Sequence, residues 1–186
     1  MACAPHIALE LIFSELLNDP RTLHACSLVN RGWSGPAQHT LFTRRCFQIG
    51  RVPESLAYDR PARVSQFSSE SFGAMLTTTP HIAGSIRRLF YDLGNATKGR
   101  GPRVPVVEIM QPLLGWHLRN LVSLQLAGYA SCRIFPMDRI DAQLAAALPM
   151  LTHLRLHETR LPDFQTLQSL VCSFPSLTSL ALSRIH

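Results

Sequence analysis

The chain has 186 residues, of which 46% are hydrophobic and 16% charged, with a formal net charge of +6. That balance excludes a disordered polypeptide, and the length allows one ordinary domain or a small module joined to a modest second one. No apolar run approaches the roughly 18 residues of a membrane helix, and Glu10, Glu15 and Asp19 sit where a signal peptide would need a basic leader, so the expected setting is the cytoplasm or nucleus.

The first predicted element is a helix ending near Asn18. Ile7, Leu11, Ile12, Leu16 and Leu17 recur at a spacing that a 3.6-residue repeat gathers onto one face. Asp19 followed by Pro20 then reads as a fresh helix start, a carboxylate cap ahead of a proline whose missing N–H costs nothing there. This second helix is predicted to reach about Val29. Gly32, Gly35 and Pro36 are expected to break the next stretch before "PAQHTLFTRR" resumes as a third short helix. Three helices this short cannot bury their apolar faces among themselves, so a second protein is expected to cover part of them. Residues 48–69, with Gly50, Pro53 and Pro61, read as a connector.

Residues 70–186 follow a different rule. An apolar residue, two spacers, an apolar residue, one spacer and another apolar residue recur as Ile86/Leu89/Tyr91, Leu121/Leu124/Leu126, Leu151/Leu154/Leu156 and Leu177/Leu180/Leu182. Helix-like stretches, "SESFGAMLTTTP", "VPVVEIMQPLLGWHLRN", "DRIDAQLAAALP" and "DFQTLQSLVCSFP", precede them. Repeated strand-helix units near this length are the pattern of a short, irregular leucine-rich-repeat solenoid, in which each unit buries its leucines by stacking on its neighbours. The predicted fold is therefore α/β in the repeat region and α+β over the whole chain. The array stops four residues after Leu182 without a polar cap, which predicts a shortened relative of a longer protein and self-association of the isolated chain.

The stretch "ALELIFSELLNDPRTLHACSLVNRGWSGPAQHTLF" resembles the F-box motif, in the form found ahead of leucine-rich repeats in many fungal proteins, basidiomycete ones among them. Pro5, Ile12, Phe13, Leu16, Leu17, Asp19, Thr22, Leu23, Cys26, Ser27, Leu28, Val29, Arg31, Trp33, Pro36, Ala37 and Phe42 carry the resemblance. "TTTPHIAGSIRRL" also looks like the segment that follows the F-box in those proteins. The resemblance implies an F-box-like helical module over residues 1–47. It further implies a substrate-recognition adaptor of a Skp1-cullin-F-box (SCF) ubiquitin ligase, with no catalysis and no cofactor of its own. The expected contact set for the Skp1-type adaptor is Pro5, Ile12, Leu16, Leu28, Val29 and Trp33, with Trp33 as the anchor. Ile12, Leu16 and Trp33 also fit a small internal core. Where the family opens with Leu-Pro and a glutamate two residues later, Ala4 precedes Pro5 here and Ile7 takes the place of the acid. That departure motivates an alternative, a repeat scaffold that recruits proteins without productive ligase assembly.

Strand periodicity sends Leu154 and Leu156 to the core and His153, Arg155 and His157 to the other face. With Arg88, Phe90, Asp92 and Gln125 at equivalent places, these residues are the candidate target-binding row. Their basic character suggests an acidic or phosphorylated target.

Other chemistry is not expected. "GWSGP" lacks the residue a nucleophile elbow places between Ser34 and the following glycine. His24 and Cys26 lie on different helix faces, and His153 and His157 are about 13 Å apart along a strand, too far to share a metal ion. The excess of positive charge sits in the middle of the chain, where "KGRGPR" has no interleaved aromatic to stack bases, so nucleic acid is not an expected partner. Five cysteines, Cys3, Cys26, Cys46, Cys132 and Cys172, are odd in number and irregularly spaced, which predicts reduced thiols.

Overall fold

A computed structural model describes residues 6–43, 45–50, 64–92, 115–128, 140–158 and 163–185. The described residues form seven helices and a six-stranded parallel sheet, a mixed α/β architecture. The chain divides into two compact units, Met1–Arg45 and Cys46–His186.

The first unit is helical. Helix α1 (His6–Glu15) tightens into a 3-10 turn over Leu16–Asn18, and is followed by α2 (Pro20–Val29) and α3 (Arg31–Thr43). The expected start of α2 is formed as the sequence requires. The Asp19 carboxylate accepts from the backbone N–H of Arg21 and of Thr22, each at 3.1 Å, with Pro20 in the first turn. The Thr22 hydroxyl also donates to Asp19, and with the Thr22 N–H it holds the carboxyl below its usual range.

Two expectations for this unit are corrected. The apolar stripe of α1 is split: Leu11 and Ile12 are 64% and 54% exposed and Leu16 packs against the core, while Leu9 and Phe13 supply the buried face. A helix turns one arc toward its neighbours, and Phe13 has the largest area to bury; it meets Trp33 edge-on at 5.9 Å between ring centroids. Leu23, Ala37 and Leu41 complete the core, with Leu16, Cys26 and Trp33 packed against it. The second correction is that α3 is continuous through Gly32, Gly35 and Pro36. Asn30 starts it, its side-chain oxygen accepting from the Trp33 N–H at 3.0 Å. An interior proline costs a helix about 3 kcal/mol. Here Pro36 and Ala37 are buried, and that burial offsets the lost hydrogen bond.

The second unit is built on the sheet. Its elements are β1 (Cys46–Ile49), β2 (Val64–Phe67), α4 (Ser69–Thr78), α5 (Pro80–Ala83), β3 (Arg88–Asp92), β4 (Ser123–Ala127), α6 (Ile140–Ala147), β5 (His153–His157), α7 (Phe164–Ser173) and β6 (Ser179–Ser183). The strands lie in the order β2-β1-β3-β4-β5-β6, every pair parallel. Residues 48–69, read from sequence as a connector, thus hold half of β1 and all of β2. Both strands are four residues long, too short for periodicity to declare them. They are held by aromatic packing: Phe47 lies 6.0 Å from Phe67 and 5.7 Å from Phe72, and Phe72 lies 4.8 Å from Trp116.

The leucine motifs place β3 to β6 in register, Leu89 beside Leu124, Leu154 and Leu180, and Tyr91 beside Leu126, Leu156 and Leu182. All but Leu180 and Leu182 are buried; these two, on the edge strand, are 36% and 42% exposed. Each of the four strands is entered through the same turn. The N–H of Ile86, Leu121, Leu151 and Leu177 donates to the carbonyl three residues earlier, on Ala83, Leu118, Leu148 and Phe174. One carbonyl then accepts two successive N–H groups of the next repeat: Arg87 from Val122 and Ser123, Val122 from Thr152 and His153, Thr152 from Thr178 and Ser179. Helices α4, α6 and α7 match three of the predicted helical stretches. The fourth, "VPVVEIMQPLLGWHLRN", lies outside the described residues up to Gly115, as do Pro5, Cys3, Cys132 and "KGRGPR".

Candidate functional site

In the helical unit the expected contact residues divide into two groups. Ile12 on α1 and Leu28 and Val29 at the end of α2 are exposed, the last two at 73% and 64%. Leu16 and Trp33 are half-buried against the unit's own core. Trp33 therefore works for the fold through its edge contact with Phe13, and truncating it removes internal packing. Leu11, absent from the expected contact set, is among the most exposed large apolar side chains. Its place in the α1 stripe was the signal that pointed to it.

These exposed side chains follow from helix geometry. With Leu23 and Ser27 turned inward on α2, positions 28 and 29 fall on the outer arc. A buried Leu or Val stabilises by about 1.5–3 kcal/mol, so each of these groups left in water can gain from a covering partner.

In the sheet unit the register places all seven expected target residues on one face. Arg88 aligns with Ser123 and His153, Phe90 with Gln125 and Arg155, and Asp92 with Ala127 and His157. They are not equally accessible, which corrects the expectation of an open row. Phe90, Asp92 and His157 are buried, at 4%, 3% and 2% exposure. Phe90 packs with Ala127 and the half-buried Cys46, a small apolar cluster on the side opposite the leucines. Burial raises the Cys46 thiol above its usual pKa, against the opposing pull of Arg88. His157 hydrogen-bonds Ser183 through Nδ1, and its Nε2 lies 3.5 Å from Glu158. Burial holds its pKa below the ordinary histidine value, the Glu158 charge opposing and Arg184 adding to the shift. Arg88 and His153 remain exposed, with Gln125 and Arg155 half-buried.

Ser34 of "GWSGP" lies inside α3, a helical backbone that presents no nucleophile at a strand end. Among the described residues no group of three or more His, Cys, Asp or Glu is placed to hold a metal ion, and no helix is long and apolar enough to cross a membrane. Cys26, Cys46 and Cys172 are free thiols.

No protein-family model matches the chain, and no curated protein matches it.

Proposed function

We propose that the protein is a non-catalytic, F-box-type adaptor of a cullin-RING ubiquitin ligase. In this reading the helical unit binds a Skp1-type partner, and the sheet unit, as a short leucine-rich-repeat array, holds a target protein. Recruitment of this kind acts by proximity, bringing the target to subunits that carry out the chemistry. The observation that supports it best is the set of apolar side chains that α1 and α2 leave outside their own core, Leu11, Ile12, Leu28 and Val29. They coincide in part with the positions that the F-box resemblance assigns to the adaptor. The repeated strand-entry turn supports the array reading, since each repeat meets its neighbour in the same way.

The test is co-purification of the full chain with a Skp1-type adaptor from the same source. The comparison is a Leu28→Glu, Val29→Glu double variant, whose changes lie on the surface and leave the core intact. Retention by the intact chain and loss in the variant is the expected result. Absence of retention by the intact chain overturns the adaptor reading and leaves a repeat scaffold without ligase assembly.

A further inference from the structure

The sheet unit gathers its described carboxylates on one rim, where Arg184 is paired with Glu158, and leaves the other rim basic. Because all strands are parallel, one rim collects the turns that enter the strands and the other the segments that leave them. Every carboxylate residue described in this unit belongs to the exit rim. Asp92 ends β3 and Glu158 follows β5, while Glu70 and Asp163 stand at or just before the starts of α4 and α7. Among the described residues the entry rim has none. It carries Arg87 and Arg88 at the start of β3, His117 and Arg119 in the turn before β4, and His153 at the start of β5.

These basic side chains hold defined places. Arg87 donates to the Asn120 carbonyl at 3.0 Å, tying the β3 entrance to the β4 entrance. Arg88, Arg119, His117 and His153 are exposed. Neutralising helix C-terminal dipoles is the alternative role for basic groups at this rim, yet none lies in the last turn of α4, α6 or α7, and the four-residue α5 has only His81 there.

We propose that the entry rim binds an acidic peptide segment, with Arg88 and Arg119 as its main contacts and Arg87 and His153 beside them. Adjacent strands are about 4.8 Å apart, so Arg88 and His153 stand roughly 10 Å apart at their Cα atoms. Basic side chains spread over that span fit carboxylates distributed along an extended chain, where side chains on one face recur about every 7 Å, better than one compact phosphate. Among the described residues the rim presents no exposed Phe, Tyr or Trp on which a base would stack, which disfavours nucleic acid.

This inference rests on reading the sheet unit as the target-binding part. It is measured without an adaptor, so failure of adaptor binding leaves it standing. The probe is a fluorescein-labelled peptide of alternating aspartate and serine, titrated with the full chain and followed by anisotropy at about 50 mM salt, where exposed charge pairs are weakly screened. The Arg88→Gln, Arg119→Gln double variant is expected to bind roughly fivefold more weakly, while Arg184→Gln on the exit rim binds as the parent does. Equal weakening by Arg184→Gln, absence of binding by the parent, or tighter binding of a singly phosphorylated peptide or a single-stranded oligonucleotide would overturn it.

Discussion

Arg184 donates to Glu158 at 2.8 Å across the last strand pair, and both residues stand one position beyond their strands with φ of 52° and 50°. Left-handed backbone costs an L-residue with a side chain about 1–2 kcal/mol, more than an exposed ion pair returns. Arg184→Gly is therefore expected to be more stable than Arg184→Ala by about 1 kcal/mol, because the two lose the same ion pair and only glycine relieves the backbone. Urea unfolding of the two variants makes the comparison.

His157 makes the sheet unit sensitive to acid. Its folded pKa is lowered, chiefly by burial, so the unfolded chain takes up a proton that the folded chain resists. The contribution is fully present above the unfolded value of about 6.5 and is lost as the pH falls below it. The urea midpoint is expected to drop between about pH 7.5 and 5.5, and His157→Gln to flatten that part of the slope. An unchanged slope in the variant would assign the acid response to other groups.

Phe72 is fully buried and meets Phe47, Phe67 and Trp116, whereas Phe164 is 75% exposed. Phe72→Ala should cost about 3–5 kcal/mol and Phe164→Ala less than about 0.5 kcal/mol. Thermal melts that fail to separate the two variants would place the aromatic cluster outside the core of the unit.

Trp33 and Leu28 should part in the same way within the helical unit. Trp33→Ala removes the edge contact with Phe13 and is expected to lower the melting temperature before any partner is added; Leu28→Ala leaves it unchanged. Calorimetry of the isolated chain distinguishes packing from recognition at these two positions.

The parts of the fold legible in the sequence are those where one physical signal acts alone. Asp19-Pro20 fixed a helix start because capping and the proline ring are local effects, and Leu124/Leu126 and Leu154/Leu156 fixed strands because alternation against one core is sufficient. Elsewhere signals competed. Pro36 sits in a helix because its burial outweighs its missing N–H, and Phe13 won the inward arc of α1 over Leu11 and Ile12 by size. Strands β1 and β2 escaped notice because Phe47 and Phe67 find each other and Phe72 only in three dimensions. For the candidate site, periodicity correctly gathered Arg88, Phe90, Gln125, His153 and Arg155 on one face. It carried no information on depth along that face, and so did not separate the buried Phe90, Asp92 and His157 from the exposed Arg88 and His153.

The strand-entry turn has a consequence for how such a chain can vary. From Ile86 to Leu121, Leu151 and Leu177 the steps between repeats are unequal, yet the pairing Arg88 to Ser123 to His153 to Ser179 never slips. The shared carbonyl of each turn seats the next strand whatever length of chain precedes it. Insertions and deletions in the crossovers are thereby uncoupled from the sheet, leaving the crossovers free to diversify while the strand rows they connect stay aligned.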